Sequence, residues 1–148
     1  AARYDEFVRR MREAASPQDA ERYRYALASF PGEAEILRTF AACLDGTIRS
    51  QDAPFVLRAA LRNRAQGARV WREITAQWDA LRDIVPTNLV ARLLEGIVAI
   101  AEPDAADAID AFVEAHPVPQ GRTVIGQHRE RLRVHAAFRA RERGGSLR

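Results

Sequence analysis

Residues 48–81 hold two amphipathic patterns separated by a short break, and this arrangement limits what the chain can fold into. The first pattern has a helical period, with these apolar positions on one face: Val56, Leu57, Ala60 and Leu61. The break extends from Asn63 to Gly67. The second pattern restarts the period with these residues: Val70, Trp71, Ile74, Trp78 and Leu81. The stretch therefore predicts two helices joined by a tight connection, with both tryptophans buried on one side of the second helix.

The first of these helices has two candidate N-caps. Ser50 and Asp52 both carry a side-chain oxygen of the kind that caps a helix. Pro54 suits only the opening turn, because proline has no N–H to donate. Upstream, Ser16 followed by Pro17 has the same arrangement and predicts another helix start.

The helix pair recurs along the chain. The triplet Gln-Asp-Ala at residues 18–20 returns at residues 51–53, and a spacing of roughly 34 residues is typical of one helix pair in a repeat protein. Residues 86–100 are apolar nearly all round, which predicts a central helix. We predict an all-α superhelix, a HEAT/armadillo-like solenoid of about eight antiparallel helices. It forms one domain over residues 1–143, with a disordered tail over residues 144–148.

Charge is distributed unevenly along the chain. All 23 basic residues are Arg, and the formal net charge is +3. Residues 122–148 carry eight Arg against Glu130 and Glu142, so the last predicted helix is basic. A basic helix is a weak indication of nucleic-acid binding, but Phe138 is the only aromatic residue in this one. We therefore favour a solvated charged face and expect no nucleic-acid partner.

Composition also bears on the source of the protein and on its cellular compartment. No apolar run approaches the roughly 20 residues that a membrane span needs, so we expect no membrane partner. Arg without Lys, together with abundant Ala, is typical of a GC-rich bacterial genome, and residues 1–16 lack the hydrophobic core of a signal peptide. We expect a bacterial, cytoplasmic protein. Because position 1 is not Met, we also expect a fragment of a longer polypeptide.

Few residues of the chain are suited to catalysis or metal binding. The three histidines are His116, His128 and His135, and the last two lie about 10 Å apart along a helix, too far to share one ion. Cys43 lies on an apolar helical face, which is typical of a buried thiol. We expect no catalytic residue, no metal site and no cofactor in this chain.

The central stretch resembles a known family. Its ordered pattern is I-R-x-Q-D, a helix, N-x-x-x-G and W-x-x-x-x-x-x-W-x-x-L, carried by these residues: Ile48, Arg49, Gln51, Asp52, Asn63, Trp71, Trp78 and Leu81. The order is similar to that of the C-terminal helical (ERAP-like) domain of the aminopeptidase N family of zinc metallopeptidases, the gluzincin aminopeptidases. The family's closing E-x-I-x-x-N-x-x-W resembles a set near the end of the chain: Glu130, Leu132, His135 and Phe138.

The resemblance implies a non-catalytic domain that caps the catalytic domain of the same polypeptide and shapes a chamber for peptide substrates. The parent enzyme would release N-terminal amino acids, with zinc held in its catalytic domain. The family's His-Glu-x-x-His zinc motif does not occur in this sequence, so the chain alone would not be an enzyme. A stand-alone α-solenoid scaffold that binds a protein partner is the alternative.

The connection in the central stretch is also the candidate binding region. The candidate substrate-binding residues surround it: Arg58, Arg62, Asn63, Arg64 and Arg69. A guanidinium fork can hold the C-terminal carboxylate of a peptide, or an acidic side chain, away from the reacting end. The alternative is ordinary solvent exposure, with pairing to Asp52 or Glu73.

Overall fold

The computed structural model describes residues 1–100 and 102–145, and every regular element within them is helical. Nine α-helices occur in these residues: α1 Ala2–Arg12, α2 Pro17–Ala28, α3 Glu33–Leu44, α4 Ala53–Leu61, α5 Gly67–Ala76, α6 Trp78–Ile84, α7 Val90–Leu94, α8 Pro103–Ala115 and α9 Arg122–Gly144. Two 3₁₀-helices, Thr87–Leu89 and Glu95–Ala99, flank α7. None of the described helices is both long and apolar enough to cross a membrane. The prediction of an all-α fold is confirmed.

In the first half of the chain, α1 packs against α2 and is followed by a stack of two helix pairs. The first pair is α2 with α3, and the second is α4 with α5. Across the pairs, α2 contacts α4 and α3 contacts α5, so the second pair lies on the first. The apolar residues that define the two patterns around the break, from Val56 to Leu81, form part of one continuous buried core. This stacking is the α-α superhelix that the repeat predicts.

The two predicted helix starts differ in their caps. Ser16 caps α2 as predicted, because its Oγ accepts from the N–H of Asp19 at 3.2 Å. At the start of α4, Asp52 occupies the N-cap position, but its side chain makes no capping bond. Its carboxylate lies 3.3 Å from Arg24 and 3.7 Å from Arg49 instead. The prediction of a side-chain cap by Ser50 or Asp52 is therefore wrong: Ser50 lies before the N-cap position, and two arginines hold the Asp52 carboxylate.

An aromatic cluster joins the two halves of the chain. Trp71 on α5 and Trp78 on α6 are 6% and 7% exposed, which confirms their predicted burial. Phe112 of α8 meets both indole rings edge to face, with centroid distances of 5.5 and 5.4 Å. The single helix predicted over both tryptophans is interrupted at Gln77, whose φ of −120° and ψ of 29° are not helical. The break between the two tryptophans therefore divides the predicted helix into α5 and α6.

Residues 86–100 do not form the single helix that their apolar pattern predicts. The short α7 lies between the two 3₁₀-helices, and Gly96 belongs to the second of these. A Cβ at Gly96 would lie 2.8 Å from the carbonyl oxygen of Arg58 and 2.8 Å from Cβ of Leu61. Glycine is thus required for the close approach of Glu95–Ala99 to α4. This approach brings Glu95 beside the arginines of α4.

The last helix, α9, packs against α7, α8 and the 3₁₀-helix Glu95–Ala99. It ends at Gly144, close to the predicted end, and the predicted tail lies outside the described residues from residue 146 onward. Several of its arginines pair with carboxylates of α8 and of the residue before it: Arg129 and Arg133 with Asp110, and Arg139 and Arg143 with Glu102. Ion pairs made by these arginines therefore fasten α9 to α8 and to Glu102.

Candidate functional site

Asn63 holds the connection between α4 and α5. Its Nδ2 donates to the carbonyl oxygens of Ala28 and Phe30, at 3.1 and 2.8 Å. Its Oδ1 accepts from the backbone N–H groups of Ala65 and Gln66, at 3.0 and 3.2 Å. These four bonds use both donor hydrogens and both acceptor lone pairs of the amide. The side chain therefore ties the connection to the end of α2 and orders its backbone.

The rest of the connection is packed closely against its neighbours. Gln66 donates through Nε2 to the carbonyl oxygen of Pro31 at 2.8 Å. A Cβ at Gly67 would lie only 2.3 Å from the carbonyl oxygen of Leu61. Any larger residue at position 67 would therefore push the start of α5 away from the end of α4. The predicted tight connection is confirmed, and it presents its neighbouring side chains from a well-defined backbone.

Arg58 in the last turn of α4 and Arg62, which caps the end of that helix, share one carboxylate. Arg58 donates to Glu95 Oε2 at 3.0 Å, and Arg62 donates to Glu95 Oε1 at 2.8 Å. Burial would raise the pKa of Glu95, but the hydrogen bond from Arg58 and the positive charges of both arginines outweigh it and hold the pKa below its usual range. Glu95 is therefore charged at neutral pH and compensates one of the two arginines.

The other two candidate arginines have different surroundings. Arg69 donates through Nε to Glu33 at 2.9 Å and also pairs with Glu73, one of the two partners expected from sequence. Arg64 is exposed and forms no ion pair with any residue that the structure describes. Arg69 is thus held between two carboxylates, whereas Arg64 has no such partner among the described residues.

A cavity of about 590 Å³ lies beside the connection. Its walls come from α2, α4 and the connection itself: Tyr25, Ser29, Pro31, Arg58, Ala59, Arg62, Asn63, Arg64 and Ala65. The structure thus brings four of the five candidate residues to one cavity, and Arg69 is not part of its wall. With Glu95 as the acid that compensates the α4 arginines, the cavity keeps an excess of positive charge. Planar guanidinium donors beside such a cavity suit a carboxylate ligand.

Sequence reasoning missed three residues of this site. Glu95 follows Arg62 by 33 residues, and its position depends on the close approach at Gly96, for which no local pattern exists. Tyr25 lies in the last turn of α2 and Ser29 directly follows that helix, and the Ser29 hydroxyl donates to the Tyr25 carbonyl oxygen at 3.1 Å. Their helical spacing, next to Pro31, was a signal that could have placed them at one end of α2.

The histidines and the cysteine of this chain do not fit zinc. His116 donates through Nδ1 to the Phe112 carbonyl oxygen at 2.8 Å, and His135 donates to that of Val98 at 3.1 Å. His128 is buried in α9. Burial raises the pKa of the Cys43 thiol, which keeps it protonated. Among the described residues, no group of His, Cys, Asp and Glu is placed to hold a metal ion.

Comparison with known proteins identifies the domain. Residues 1–134 match the family described as the ERAP1-like C-terminal domain. No curated protein and no solved structure gave a significant match. The matched segment covers α1 to α8 and the first half of α9, and so includes the whole cavity beside Asn63. The chain therefore belongs to the family of ERAP1-like C-terminal domains, which are found in proteins of the aminopeptidase N family.

Proposed function

We propose that this chain is the non-catalytic C-terminal domain of a zinc-dependent aminopeptidase and that it caps the catalytic domain of the same polypeptide. The family match over residues 1–134 carries the proposal, because this domain is found in aminopeptidase N family proteins. The catalytic domain would hold the zinc and cleave the N-terminal peptide bond. This chain would form one wall of the chamber that receives the peptide.

In that wall, the cavity beside Asn63 binds the end of the peptide that is remote from the reacting bond. Arg58, Arg62 and Arg64 line the cavity, and Glu95 compensates only part of their charge. A volume of about 590 Å³ is within the range of small-ligand sites. A terminal carboxylate can accept hydrogen bonds from the guanidinium of Arg64. Glu95 holds the neighbouring Arg58 and Arg62 in place beside that carboxylate.

Contacts at the remote end of a peptide act on binding more than on the chemical step. Because they are the same in the ground state and in the transition state, they lower KM with little change in kcat. The cavity would therefore set preferences for peptide length and for a free C-terminus, and the reaction rate would be set in the catalytic domain.

The test uses the full-length polypeptide that contains this domain. Turnover of a peptide with a free C-terminus is compared with turnover of its C-terminal amide. Arg64→Glu is the main variant, because Arg64 forms no ion pair with any of the residues that the structure describes. Arg58→Glu and Arg62→Glu follow, and Arg72→Glu, an exposed position of α5 outside the cavity, is the matched control.

We expect Arg64→Glu to raise KM for the free-acid peptide by about tenfold, with kcat nearly unchanged and with little effect on the amide. The control should behave like the unaltered protein. If discrimination between the two peptides stays the same in all three cavity variants, the carboxylate site is excluded. If the full-length polypeptide has no aminopeptidase activity, the proposed parent enzyme is excluded as well.

A further inference from the structure

An apolar groove lies along the second half of α9, and Arg62 borders both this groove and the cavity beside Asn63. Val134 and Phe138 are one turn apart on this helix and are 59% and 53% exposed. They face Val98 and Ala99 across an open cavity of about 900 Å³. Exposed apolar side chains that lie together, and not singly, make this groove a candidate surface for binding another molecule.

The rim of the groove is basic. Arg62, Arg139 and Arg141 border it, with Glu142 as the acid in its lining. Arg62 and Arg139 already pair with carboxylates of the fold, but Arg141 forms no ion pair within the described residues. A partner that places apolar side chains on the floor could therefore place a carboxylate at Arg141 and share the other two arginines.

Most of α9 around the groove would repel a second copy of the chain. Residues 131–143 carry five Arg against Glu142, and Asp110 and Glu102 compensate only part of this charge. Two copies that met at this surface would bring like charges together. The charge pattern favours an acidic partner over self-association.

We propose that this groove binds an amphipathic, acidic helix of a separate protein. Apolar side chains one turn apart on that helix would pack on Val98, Val134 and Phe138, and carboxylates beside them would pair with Arg139 and Arg141. This is the helix-in-groove mode of recognition. The groove shares Arg62 with the cavity beside Asn63 but no other lining residue, and it does not depend on the aminopeptidase proposal. It also extends beyond residue 134, where the family match ends.

The probe is a short, fluorescently labelled helical peptide with Leu at i and i+4 flanked by Glu. Binding to the 148-residue chain is measured by anisotropy. One control peptide replaces each Glu with Lys, and another replaces each Leu with Ser. We expect the acidic Leu peptide to bind at least about tenfold more tightly than either control. Added salt should weaken binding, because exposed charges are screened.

Two matched pairs of variants locate the site on α9. Phe138→Ser is compared with Val124→Ser, because Val124 is another exposed apolar residue of the helix outside the groove lining. Arg141→Glu is compared with Arg131→Glu, since Arg131 is exposed and also outside that lining. All four positions are exposed, so the fold should persist, and circular dichroism checks it. We expect the groove variant of each pair to bind about tenfold more weakly than its control.

Several results would overturn the proposal. It fails if the unaltered chain does not bind the acidic peptide or binds the Lys peptide equally well. It also fails if each groove variant and its control lose binding to the same extent. Sedimentation tests whether a second copy of the chain covers the groove. It does so if the chain does not bind the peptide but forms a dimer that Phe138→Ser dissociates.

Discussion

Both halves of the molecule consist of packed helices, but the interactions that position the helices differ between them. In the stack α2 to α5, helices follow the sequence period, and each pair lies on the one before it. From α6 onward, helices break at Gln77 and on both sides of α7, and α9 is held by ion pairs to Asp110 and Glu102. Local periodicity therefore determines the first half, whereas contacts between distant residues determine the second.

Several contacts connect these halves, and two of them differ in kind. One is apolar: Phe112 of α8 lies against Trp71 and Trp78. The other is charged: Glu95 binds both arginines of α4. The apolar contact is buried, while the charged one borders the candidate cavity. We expect the first to supply stability and the second to place the arginines for ligand binding.

We expect the largest loss of stability when the apolar contact is removed. Trp78→Ala removes a buried indole ring from its place against Phe112, and Trp71→Ala does the same from the other side. Either change should lower the free energy of unfolding by about 3–5 kcal/mol. Urea denaturation followed by circular dichroism measures this loss. Phe138→Ala is the control, because this exposed aromatic should change stability by less than about 0.5 kcal/mol. Equal losses in all three would contradict the assignment of the core.

A smaller effect should come from the connection in the first half. Asn63→Ala removes four hydrogen bonds and leaves the carbonyl oxygens of Ala28 and Phe30 without this partner. We expect a loss of about 2 kcal/mol in the free energy of unfolding, because such groups are costly to leave unpaired. Asn88→Ala, on an exposed 3₁₀ turn, is the matched control. If both changes had the same effect, Asn63 would not order the connection.

The charged contact should contribute less still. Glu95→Gln keeps the size of the side chain but removes the charge between Arg58 and Arg62, and a partly exposed pair of this kind contributes about 1 kcal/mol. Thermal melts at low and high salt measure the change, and Glu130→Gln on the exposed side of α9 is the control. A loss of stability as large as that caused by Trp78→Ala would show that the charged contact is a main source of stability between the two halves.

The smallest effect should appear only in mild acid. His128 of α9 is 6% exposed, and its Nδ1 has no hydrogen-bond partner among the described residues. Burial lowers the pKa of His128 below the usual value of 6.5, against an opposing influence from Glu95. Below about pH 6.5 the unfolded chain therefore takes up a proton that the folded chain does not, and stability falls as pH falls.

Denaturation curves between about pH 7 and pH 5 measure this dependence. His128→Leu should flatten it, because the variant has no ring to protonate in either state. Gln127→Leu, at an exposed position of α9 that carries no titratable group, is the control and should keep the slope. An unchanged slope in His128→Leu would show that another group is responsible.

The sequence predicts the first half of the fold more completely than the second. The repeat and the apolar face from Val56 to Leu81 depend on neighbours in sequence, so a helical period reveals them. The break at Gln77 and the 3₁₀ turns around α7 depend on what packs there, as the close approach at Gly96 shows. The same holds for the site: the arginines could be named from the connection, but their partner Glu95 could not.

The most direct measurement of the central claim is an NMR titration of the chain with an N-acetylated peptide and with its C-terminal amide. Asn63 and Ala65 line the cavity, and the amides of Ala65 and Gln66 donate to Asn63, so their signals report on a ligand there. We expect the free-acid peptide to shift both signals, the amide to shift them little, and Arg64→Glu to remove the difference. Equal shifts with both peptides, or none with either, would contradict a carboxylate site in this domain.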